Sequence, residues 1–133
     1  MTPPTDSVRR LCAALDSVLA AAGFLPGQGG AADDGSGQVI YCIGHDKLRG
    51  RHPHLPQAAS DDVLGTCDDL VLDIGAGGTL DRLDLETVSL EETLRQVGLD
   101  ADADAVSRVV GRPVVDGLPV LEDAVRRLFG VAA

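Results

Sequence analysis

At 133 residues the chain has the length of one domain and can bury a single core, so residues 1–133 are read as one domain. Its 44% apolar content is ordinary, but Phe24, Tyr41 and Phe129 are the whole aromatic complement. That scarcity argues against base-stacking, sugar-binding and peptide-groove surfaces. A net charge of −10 and a pI near 4.4 oppose binding to duplex nucleic acid or to an anionic membrane, so neither is expected as a partner.

From the N-terminus, Met1 to Asp6 offers no basic stretch leading into an apolar one, so no secretory signal is expected. Val8, Leu11, Cys12, Leu15, Val18, Leu19 and Ala22 then recur at helical spacing and predict an amphipathic helix over 7–22. Asp6 or Ser7 is placed to cap it and Gly23 to end it. Pro26 to Gly37 is rich in Gly, Ala and Asp with little to bury and reads as a loop. Val39 to Ile43 is a short apolar run with β-branched and aromatic members. It predicts a central strand near 38–44, covered on both faces. His45 to Ala59 holds Gly50, Pro53 and Pro56 and reads as irregular, with a helical turn expected after Asp61 and Asp62.

Leu70, Leu72 and Ile74 alternate with Asp69, Val71 and Asp73. Leu83 and Leu85 alternate with Arg82, Asp84 and Glu86. With Gly75, Gly77 and Gly78 between them, the two runs predict a hairpin over 69–86. Ser89 and Glu92 form a capping box that opens a helix over 89–98. Asp102 or Asp104 is placed to cap a helix over 103–110. Pro119 is placed to begin a last helix over 119–129, with Asp123 four residues before Arg127 as one of its ion pairs. Strands followed by a run of helices predict an α+β fold. The expected core is a small, mainly antiparallel sheet of about three strands with helices packed on it. No apolar run approaches the ~18 residues of a membrane span, and three cysteines at scattered spacing fit reduced thiols, so a cytoplasmic location is expected.

Val71-Leu-Asp-Ile-Gly-Ala-Gly-Gly78 resembles the first glycine-rich motif of Rossmann-type S-adenosylmethionine-dependent methyltransferases, which implies a cofactor over the glycines at a helix N-terminus. The family has a helix directly after these glycines, whereas Leu80 to Glu86 alternates as a strand. The hairpin turn is therefore the reading, with Gly75 the candidate for a positive-φ position. Asp100-Ala-Asp-Ala-Asp104 opens like a calcium loop, but Ala105 and Gly111 stand where that loop needs Gly and Glu. The outward carboxylates Asp73, Asp84 and Glu86, with Arg82, read as a solvated strand face that discourages edge pairing.

Two groupings remain as candidate sites. Lys47, Arg49 and Arg51 stand against Asp46 alone in 45–54, whereas 55–133 carries 16 acids and 6 bases. With His52 and His54 these form a basic segment at the end of the central strand, suited to gripping carboxylate or phosphate. Cys42, His45, His52, His54 and Cys67 bring zinc's preferred ligand types close together in sequence, though without a second paired spacing. The favoured expectation is a non-catalytic cytosolic interaction or regulatory protein, of inhibitor or immunity type, that binds an anionic ligand or a protein partner through 45–54. No cofactor is expected on that reading. The alternative is a small enzyme or zinc protein built on the Cys/His group.

Overall fold

The computed structural model describes residues 3–31, 36–43, 69–86 and 88–131. Among them are four helices, α1 (Pro3–Ala22), α2 (Leu90–Gln96), α3 (Asp100–Val109) and α4 (Val114–Phe129). Five strands, β1 (Gln28–Ala31), β2 (Gly37–Cys42), β3 (Asp69–Ile74), β4 (Leu80–Leu85) and β5 (Val88–Ser89), form one antiparallel meander in that order. The α+β class is as expected, with five strands in place of three. The predicted central strand is β2, second in the sheet, and β3 takes the middle.

Both unexpected strands lack a sequence signal for physical reasons. Gln28-Gly-Gly-Ala31 contains poor strand formers, and pairing with β2 makes it a strand. Val88–Ser89 is too short for a visible period and pairs only with Asp84 and Leu85.

Side chains alternate across the sheet as the period-2 pattern requires. Rows such as Val39–Leu72–Leu83 and Tyr41–Leu70–Leu85 are buried under the helices. The opposite face is exposed or half-buried: Gln38–Asp73–Arg82, Ile40–Val71–Asp84 and Cys42–Asp69. β2 is therefore sealed on one face only. Leu80 and Leu83 both reach the core although three apart, because the register shifts after Asp73 and leaves Asp81 as an extra, exposed residue.

α1 packs over β1, β2 and β3, α2 over β4 and β5, and α4 lies between α1 and α3. One continuous core results, running from Leu11 and Leu15 of α1 to Leu128 and Phe129 of α4. There the Phe24 and Phe129 rings meet at 5.1 Å between centroids.

Three helix starts differ from the sequence reading. α1 begins at Pro3, so Asp6 and Ser7 lie inside it rather than capping it; proline is well suited to a first turn. α3 begins at Asp100 behind Leu99, with no side-chain cap. Asp102 and Asp104 bond arginines instead: Arg127 Nε and Nη2 donate to Asp102 at 2.8–3.0 Å, and Arg95 donates to Asp104 at 2.7 Å. Arg127 therefore joins α4 to α3. α4 begins at Val114, five residues before Pro119, because its buried stripe starts at Val114 and Gly117. Pro119 sits on the exposed side, where water can satisfy the carbonyl it leaves unpaired. α2 matches its capping box: the Glu92 amide donates to the Ser89 hydroxyl at 3.1 Å. None of the four described helices is long and apolar enough to cross a membrane.

Candidate functional site

β2 ends at Cys42 and β3 begins at Asp69, and these two residues are cross-strand partners. Residues 44–68 thus connect two neighbouring strands at one end of the sheet. His45, Lys47, Arg49, Arg51, His52, His54 and Cys67, together with the helical turn expected at Asp61, lie outside the described residues. Of the sequence-nominated set, Cys42 is the described member. Its side chain is half-buried on the outward face of β2, at the last position of the strand.

The base of this connection is pinned on both sides. The Leu25 amide donates to the Cys42 carbonyl at 2.8 Å. The Asp69 amide donates to Glu86 Oε1 at 3.0 Å, and the Glu86 amide donates to the Asp69 carbonyl at 2.8 Å. Glu86 adopts φ 57°, a left-handed conformation that costs a side-chain-bearing residue about 1 kcal/mol or more, and the pair of bonds to Asp69 holds it there. Nothing in the sequence around Glu86 signals that conformation.

No protein-family model matches this chain, and no curated protein or solved structure matches it significantly.

The methyltransferase-like octapeptide forms the β3–β4 hairpin. Its Gly75 amide donates to the Thr79 carbonyl at 2.8 Å, and a strand follows the glycines where the cofactor motif needs a helix. The positive-φ turn position belongs to Gly78, at 77°, and not to Gly75. A side chain at Gly75 would instead run into the Asp81 carboxylate. The joint between α3 and α4 docks on this turn: Leu80 donates to Arg112 and Val114 to Gly78.

An open groove of about 910 Å³ crosses the outward face at the turn end of the sheet, where Gln38, Asp73, Gly75 and Asp81 are among its lining residues. Both of its carboxylates accept hydrogen bonds. The Gln38 amide donates to Asp73 at 2.7 Å, and the Thr79 hydroxyl donates to Asp81 at 2.8 Å. Asp73, Arg82 and Asp84 share the outward face as expected, with Arg82 Nε 3.4 Å from Asp84, whereas Glu86 lies in the turn past the end of β4. Among the described residues no group of three or more His, Cys, Asp or Glu side chains is placed to hold a metal ion.

The polar cluster that sequence reasoning missed lies under α1. The Tyr41 hydroxyl, fully buried, donates to Asp16 Oδ1 at 2.6 Å, and the Gly27 amide approaches the same oxygen at 3.4 Å. A Cβ on Gly27 would come within 2.6 Å of the Tyr41 ring, so the chain must pass here as glycine. Burial pushes the neighbouring Cys12 thiol up, opposed by its hydrogen bond with Tyr41. A thiol held protonated is a poor nucleophile, and the cluster acts as a joint between α1 and β2. The spacing of Cys12 and Asp16, one turn apart on the flank of the apolar stripe, was its only sequence trace.

Proposed function

We propose that this is a non-catalytic interaction or regulatory protein of the cytoplasm that binds an anionic ligand or an acidic surface of a protein partner through 45–54, with Lys47, Arg49, Arg51, His52 and His54 as the contact residues. The observation that carries the reading is the place of that segment. It lies in a connection between adjacent antiparallel strands, a link that a hairpin completes in two to five residues. A connection far longer than closure requires is more often functional than structural. Within that connection, 45–54 carries Lys47, Arg49 and Arg51 against Asp46, whereas the outward sheet face carries Asp69, Asp73 and Asp84 beside Arg82, which favours an anionic partner at 45–54.

The test is the double variant Arg49→Gln, Arg51→Gln. The partner recovered on immobilised wild-type protein is purified and titrated against both forms. The expected result is at least a tenfold loss of affinity, falling further with added salt, while the thermal midpoint moves by less than about 1 °C. Equal affinity in the two forms overturns the reading.

The second reading, a small enzyme or zinc protein using Cys42, His45, His52, His54 and Cys67, is favoured by the position of Cys42 at the end of β2. The three histidines follow it, and Cys67 comes just before β3 begins at Asp69. Zinc would need at least three of these donors at about 2.0–2.3 Å. Elemental analysis of protein purified without chelator would then give near-stoichiometric zinc, lost in Cys42→Ser. Metal-free protein whose stability ignores chelation removes it.

A further inference from the structure

We draw no further inference here: the strongest candidate, the open groove on the outward sheet face beside Asp73 and Asp81, offers an acidic pair already held by Gln38 and Thr79, and nothing in the described residues shows what fills it.

Discussion

Two aspartates tie helices of this protein to their neighbours, in opposite surroundings. Asp16 on α1 is half-buried, and its partner Tyr41 has no exposed surface. Asp102 on α3 is 7% exposed, whereas the side chain of its partner Arg127 is 57% exposed. In the first joint the neutral member is sealed inside; in the second, the sealed member is the one that accepts three hydrogen bonds from a wet guanidinium. The comparison teaches that the cost of breaking a polar joint depends on what is left behind in the dry layer. A group orphaned there has neither partner nor water, whereas one orphaned at the surface turns to solvent.

The largest effect is therefore expected from Arg127→Met, which leaves the Asp102 carboxylate buried without its donors, and about 2–3 kcal/mol should be lost in urea unfolding. Asp102→Ala, which removes the buried acceptor and leaves only an exposed arginine, should cost about 1 kcal/mol or less. The reverse order would break the comparison.

Tyr41→Phe removes one strong bond to Asp16 but leaves the ring packed, and about 1.5–2 kcal/mol is expected. The same variant sharpens the picture at high pH. The Tyr41 phenol is pushed far above its ordinary value, by burial first and then by its hydrogen bond to Asp16. An unfolded tyrosine ionises near 10, so the joint's contribution is complete below about pH 10 and is lost as pH rises beyond it. The rate of loss is about 0.7 kcal/mol per pH unit at pH 10 and approaches about 1.4 kcal/mol per pH unit above about pH 11. Tyr41 is the single tyrosine in the chain, so the slope difference between wild type and Tyr41→Phe over pH 9–11 isolates it. Equal alkaline slopes would show that the phenol ionises freely in the folded protein.

Elements with a local cause were legible. The 3.6-residue stripe of α1, the Ser89–Glu92 box of α2 and the alternation of β3 and β4 each state their own structure, because face burial and capping act within a few residues. The start of α4 was legible in its stripe but hidden by Pro119, whose breaking tendency matters less on an exposed side. Of the nominated site residues only Cys42 falls within the described structure, half-buried on the outward face of a strand that was expected to be covered on both faces.

What the sequence determined by itself was the class, the core-facing positions and the separation of base from acid along the chain, since all follow from side-chain polarity and local period. The tertiary structure alone decided the rest, for reasons of partnership. Gln28 to Ala31 becomes a strand because β2 offers its backbone groups a partner. Arg127 answers Asp102 across 25 residues, and not Asp123 four residues away, because α3 packs beside α4. Tyr41 finds Asp16 because α1 lies over β2. A hydrogen bond between distant residues leaves no period in the chain, and its cause appears only once the core has brought them together.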